Sequence, residues 1–262
     1  MSNSITRKDF SLKAISVVAA SCASMTILGR AYADEKSPSP ASSLADTSAS
    51  SDTDKASAAP TASGLSSLPK GIVPVEGGGI GDVLVVVDMQ NAYLEDQCWA
   101  CTKTSACVDS IKRMIDSAAP DNVVFTEYLA PTNPVGTWVT YNEVNKDVNE
   151  DTWLNEIVDP LKPYLDSHPL YAKSTYSSFG NPDFKNLMAR ANRIVIAGVM
   201  SECCVLATVI DAIDTGTPLV YITDACSGST EKYEQEVIDI VSFASPTHAA
   251  LMTTNEYLAS RS

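Results

Sequence analysis

Six short runs rich in branched apolar residues punctuate the chain after residue 80: "VLVVV" (83–87), "NVVFTE" (122–127), "LYAK" (170–173), "RIVIAG" (193–198), "PLVYIT" (218–223) and "AALMTT" (249–254). They do not alternate polar with apolar residues. Strands of that kind are covered on both faces, and here helical stretches are available to cover them, at about 103–118, 183–191, 202–215 and 231–243. In the third of these, Val205, Leu206, Val209, Ile210 and Ile213 recur with the spacing of one buried face, and the pattern stops at Gly216 before Pro218. The prediction is an α/β fold, a three-layer sandwich around a parallel sheet.

The chain has 262 residues, 45% of them hydrophobic, which is enough for one such domain and leaves an N-terminal portion over. Residues 1–33 open with Arg7 and Lys8, continue through an apolar stretch from Ala14 to Leu28 and end in Ala31-Tyr32-Ala33, the layout of an export signal cleaved after Ala33. "TRKDFSLK" is similar to a twin-arginine signal with Lys8 in place of the second arginine, so the expected location is periplasmic, cell-surface or extracellular. From Asp34 to Pro69, 25 of 36 residues are Ser, Ala, Pro or Thr, too little apolar surface to offset ordering entropy. Residues 34–78 are therefore read as a linker and 79–262 as the folded domain. The net charge of −14 repels phosphate backbones and anionic lipid, so no nucleic acid and no membrane contact apart from export are expected, and the small-molecule partner expected is the substrate implied by the resemblance described below.

In open parallel sheets, ligands sit beyond the carboxyl ends of the strands, where strand order reverses. The polar residues at those ends are Asp88, Glu127, Lys173, the segment 201–204 and Asp224. Asp88, Lys173 and a thiol from Cys203 or Cys204 together make a chemical set. A nearby cation and a helix N-terminus both favour a thiolate, Asp88 can accept the thiol proton, and Lys173 can hold the charged groups in place. Neighbouring residues on a helix point about 100° apart, so only one of the two thiols can face Asp88 and Lys173.

"VVVDMQNAYLE", "KSTYSSF" and "GVMSECCVLATVIDA", in that order and spacing, resemble the signature blocks of the isochorismatase-like cysteine hydrolases, relatives of nicotinamidases and N-carbamoylsarcosine amidase. The resemblance covers about residues 80–258. It implies a six-stranded sheet in the order 3-2-1-4-5-6, a catalytic triad of Asp88, Lys173 and Cys204, and Cys203 at a variable position. It also implies a cis peptide between Val199 and Met200, and an oxyanion hole formed by the backbone N–H groups of Met200 and Cys204. The activity implied is hydrolysis of a C–N bond in a small amide or carbamoyl compound through a thioester, with a homo-oligomer as the usual assembly. Tyr93, Tyr128 and Tyr176 are expected to line the substrate pocket.

Two departures refine this. Nicotinamidases carry metal-binding histidines after strand 2, whereas "FTEYLAPTNPVGTWVTYN" has none, and His168 and His248 stand elsewhere. No metal and no cofactor are expected, and a nicotinamidase or isochorismatase-type activity is the alternative. Secondly, "CWAC" at 98–101 and Cys107 suggest a local disulfide bracing the loop in an exported protein. Readings of other classes are a thiol-disulfide oxidoreductase using Cys98 and Cys101, and a non-catalytic binding protein.

Overall fold

The computed structural model describes residues 68–262. The export signal over 1–33 and the linker as far as residue 67 lie outside the described residues. Six strands, β1 (Asp82–Val87), β2 (Asn122–Tyr128), β3 (Leu170–Lys173), β4 (Arg193–Val199), β5 (Leu219–Ser227) and β6 (Ala249–Met252), form one sheet. Every pairing is parallel and the order is β3-β2-β1-β4-β5-β6, the expected one, with the reversal between β1 and β4.

All six residues of β1 are buried, because the two-residue period of a strand sends its side chains into two separate cores. Leu84 and Val86 pack with Ile111 and Met114 of α1 (Thr104–Asp116) and with Tyr257 of the C-terminal helix. Val83 and Val85 pack with residues of three helices on the opposite face. Helix labels follow chain order: α2 (Thr137–Val144), α3 (Lys146–Asn149), α4 (Thr152–Asn155), α5 (Pro182–Met188), α6 (Leu206–Asp214), α7 (Glu231–Phe243) and α8 (Thr254–Ser260). Phe184 of α5, Val209 of α6 and Val237 of α7 complete the second core, so helices cover both faces and the sandwich has three layers.

Several segments differ from the sequence reading. Residues 68–78, grouped with the linker above, lie on the domain: Ile72 is buried, and Val73 exchanges hydrogen bonds with the Asn122 amide at 2.7 and 2.9 Å. Between β2 and β3, where no regular element was predicted, the chain forms α2, α3, α4 and a 3-10 turn over Asp159–Asp166. The helix expected from residue 202 starts instead as a π-helical turn, Ser201–Val205, and becomes α-helical at Leu206. Val199–Met200, immediately before that turn, is a cis peptide bond, as the resemblance implies.

Gly198 fixes how closely β1 and β4 approach at the end that carries the polar residues. It has φ +122°, and a Cβ there would stand 2.1 Å from the Val87 carbonyl oxygen. Only glycine tolerates both conditions. Gly198→Ala is expected to destabilise the domain by more than about 2 kcal/mol, through strain and a backbone clash. Thermal or urea unfolding checks this; an unchanged midpoint would contradict it.

Candidate active site

At the end of β1 the chain turns through Asp88, at φ +47°, whose N–H donates to the Thr126 carbonyl at 3.1 Å. The Asp88 carboxylate is held from two sides. Oδ1 accepts from the Thr126 hydroxyl at 2.7 Å, and Oδ2 lies 2.7 Å from Lys173 Nζ. Lys173 closes β3 directly opposite Tyr128 of β2, so its long side chain reaches across β2 to meet β1. Its ammonium also donates to the Thr175 carbonyl at 3.0 Å and to Cys204 Sγ at 3.4 Å. Asp88, Lys173 and Cys204 thus meet from β1, β3 and the turn after β4, all of them buried. Within that turn the N–H groups of Cys203 and Val205 both donate to the Met200 carbonyl at 3.1 Å. Cys204 lies between them in the turn.

The electrostatics depart from one expectation. Burial works against the Lys173 charge, but Asp88 and Cys204 outweigh it and hold its pKa above the ordinary lysine value. Burial, then the Asp88 charge, push the Cys204 thiol well above its usual range, and Lys173 does not reverse this. The resting site is therefore an ammonium–carboxylate pair beside a neutral thiol, not the thiolate that the neighbouring cation and helix start suggested. Desolvation is the reason: a buried sulfur gains less from one cation already paired to a carboxylate than it loses from water. Cys203 is half-buried, and burial followed by Glu202 moves its thiol up to about 11.

Tyr93, Tyr128 and Tyr176, singled out from the sequence, do line one cleft above Cys204, together with Trp99, Tyr141, Met200 and Cys203. The cleft is small, about 30 Å³. Sequence reasoning missed Trp99 and Tyr141. Trp99 sits inside "CWAC", where the cysteines drew attention, yet its ring lies 5.4 Å from Tyr93 and its indole N–H donates to Asn145 at 3.1 Å. The expected disulfide among Cys98, Cys101 and Cys107 is not formed. Cys101 and Cys107 are buried in the core beside α1, and hydrogen bonds brace the loop instead: Trp99 N–H to Ala92, and Cys101 N–H and the Thr104 hydroxyl to Tyr93.

The remaining strand-end acids stand apart from the triad. Asp224 accepts from the N–H and hydroxyl of Thr254 at 2.7 and 2.8 Å and so fastens α8. Glu127 is half-buried; burial and then Asp88 raise its pKa. His168 packs on Phe125, with burial lowering its pKa, and His248 belongs to the turn before β6.

Residues 82–256 match the isochorismatase domain model, well over half of the chain. The chain belongs to the isochorismatase family. An uncharacterized isochorismatase family protein of Bacillus subtilis, YddQ, is 25% identical over 157 residues, which cover 59% of this chain and 82% of that one. A cysteine hydrolase from Pseudomonas syringae superposes with a TM-score of 0.60 at 18% identity, over 75% of this chain and all of the other. The pyrazinamidase of Pyrococcus horikoshii, in complex with zinc, gives 0.54 at 20% identity over 66% and 98%. These structures share the fold, and this chain is an isochorismatase-family hydrolase. Its donors do not suit a zinc ion: among the described residues no three His, Cys, Asp or Glu side chains gather, and the end of β2 offers no histidine.

The thiol's environment makes a prediction whose sign is not the intuitive one. The Asp88 charge raises the Cys204 pKa and Lys173 lowers it, so Asp88→Asn removes the raising charge and leaves the lowering one. Alkylation of Cys204 by iodoacetamide, followed by peptide mass spectrometry, is expected to be slow at pH 7 in the native protein and to accelerate as pH rises. In Asp88→Asn it is expected to be roughly tenfold faster at pH 7 while hydrolysis is lost. Slower labelling in the variant would contradict the assignment.

Proposed function

We propose that the chain is a metal-independent cysteine hydrolase that cleaves the C–N bond of a small amide or carbamoyl compound, with Asp88, Lys173 and Cys204 as its catalytic residues. The observation that carries the proposal is the buried contact chain Cys204 Sγ to Lys173 Nζ (3.4 Å) to Asp88 Oδ2 (2.7 Å) beneath the aromatic-lined cleft. Since the thiol rests neutral, attack begins with transfer of its proton to Asp88. The thiolate adds to the carbonyl carbon, and the new oxyanion is received by the Met200 and Cys204 N–H groups. Protonated Asp88 then gives its proton to the departing nitrogen as the C–N bond breaks, leaving a thioester. Water, deprotonated by Asp88, releases the carboxylic acid and returns the proton to sulfur. Lys173 keeps its charge throughout and holds Asp88 and the sulfur in register.

A pyrazinamidase-like or nicotinamidase-like activity is the nearest second reading, favoured by the aromatic walls. A CxxC oxidoreductase is not favoured, because such chemistry needs a thiolate, and burial, followed by Glu202, raises the Cys101 pKa. The sequence of residues 1–33 supports an exported enzyme, and we propose that location with the activity.

Ammonia release over a panel of small amides and carbamoyl compounds tests the proposal. Cys204→Ala is expected to lower turnover by about 10³-fold or more, whereas Cys203→Ala remains active. If Cys203→Ala abolishes turnover and Cys204→Ala does not, the assignment fails. Thr126 positions Asp88 through its 2.7 Å hydrogen bond, so Thr126→Val is expected to cost about tenfold in kcat and Thr126→Ser to restore most of it. Equal activity of the valine and serine variants would show that the hydroxyl has no such role.

A further inference from the structure

The charge of the cleft walls bears on what the substrate carries beyond its scissile amide. Five of the side chains around the cleft are aromatic (Tyr93, Trp99, Tyr128, Tyr141 and Tyr176) and none but the concealed Lys173 behind them is cationic. Trp138 adds a sixth ring, 5.1 Å from both Tyr141 and Tyr176. The Lys173 ammonium is already committed to Asp88, Thr175 and Cys204, which leaves no cationic donor for a second anion. Burial pushes the Tyr176 phenol up to about 12 and Tyr128 and Tyr141 higher still, so all three hydroxyls stay protonated and the rings neutral at physiological pH.

An anionic substituent entering this cleft would lose its water and find no countercharge. A cation would meet the negative faces of several rings, and the chain as a whole, at −14, adds to the attraction. From behind the cleft, Lys173 Nζ lies 5.7 Å from the centre of the Tyr128 ring, within the range of a cation–π contact. The space of about 30 Å³ holds roughly one water, so an incoming group must displace a wall. Tyr176 is the wall to move, being 36% exposed, and α2, which carries Tyr141, has no fully buried residue to anchor it.

We propose that the acyl part of the substrate bears a positive charge, and that a methylated ammonium group is received by the ring box of Tyr128, Trp138, Tyr141 and Tyr176. This rests on the hydrolase reading above and adds to it a class of substrate.

Three amides of matched size test it: betaine amide, its uncharged isostere 3,3-dimethylbutanamide, and the anion malonamate. The native protein is expected to hydrolyse betaine amide with kcat/KM at least about tenfold above the isostere, and malonamate more slowly than either. Tyr141→Leu and Trp138→Leu are expected to bring the cation-to-neutral ratio within about threefold, the ratio being the readout whatever the absolute rates. Equal rates for cation and isostere, or a preference for malonamate, would overturn the proposal, and this comparison needs no variant. Should the native protein hydrolyse none of the three, the hydrolase reading is decided by the ammonia-release panel above, and the cation box is decided separately by quenching of tryptophan fluorescence in Cys204→Ala. Binding of betaine amide at least tenfold tighter than its isostere upholds the cation box, and equal or absent binding overturns it.

Discussion

The ion pair between Lys173 and Asp88 sets the conditions for everything around it. With the two side chains 1% and 0% exposed, both charges have left water, a loss of several kcal/mol per ion unless every remaining hydrogen-bonding group is satisfied. The structure answers with Thr126 on one carboxylate oxygen and with Thr175 and Cys204 on the ammonium, while Asp88 Oδ2 has the ion pair alone. These three partners come from three different parts of the chain. They coincide only if β1, β2 and β3 keep their register, because a slip of one residue would turn Thr126 away from Asp88 and Lys173 away from both. The pair therefore couples the alignment of half the sheet to the chemistry at its edge.

The other half is aligned through β4. Gly198 lets that strand lie against β1 where the sheet order reverses, and the cis bond and π-helical turn that follow bring the Cys204 sulfur over the ion pair. The neutral thiol is a consequence of the same dryness. A site closed enough to keep the ion pair strong also keeps sulfur protonated, which is why the proposed mechanism gives its proton to the pair itself.

Much of this was legible in the sequence. Unbroken apolar runs such as "VLVVV" state that a strand is buried on both faces, and a polar residue just after each run marks the carboxyl edge of the sheet, which is how Asp88 and Lys173 stand out. The order of the strands and the choice of Cys204 over Cys203 came from the resemblance of three blocks. What could not be read depends on solvent exposure or on packing between distant parts. The thiol's protonation follows from complete burial, which no spacing of residues encodes. The π-helical turn keeps the apolar face of α6 intact and so leaves no mark on its periodicity. The segment from Leu129 to Pro169 folds into helices of four to eight residues that bury one side chain each or none, too few for a pattern. Residues 68–78 look like linker because one buried isoleucine and a backbone pairing with Asn122 hold them, not a hydrophobic face. "CWAC" drew attention to its sulfurs when the tryptophan was the residue that reached the site.

The contrast between the sheet edge and α2 has an evolutionary consequence. Residues of the edge are each bound into the core, and changing one disturbs both folding and chemistry. Trp138 and Tyr141 stand on a helix without a single fully buried residue, so exchanging them alters what the cleft admits at little expense in stability. Reactivity and selectivity are thus written in separable parts of the chain, and drift in the second can supply new substrates to a scaffold whose first part stays fixed.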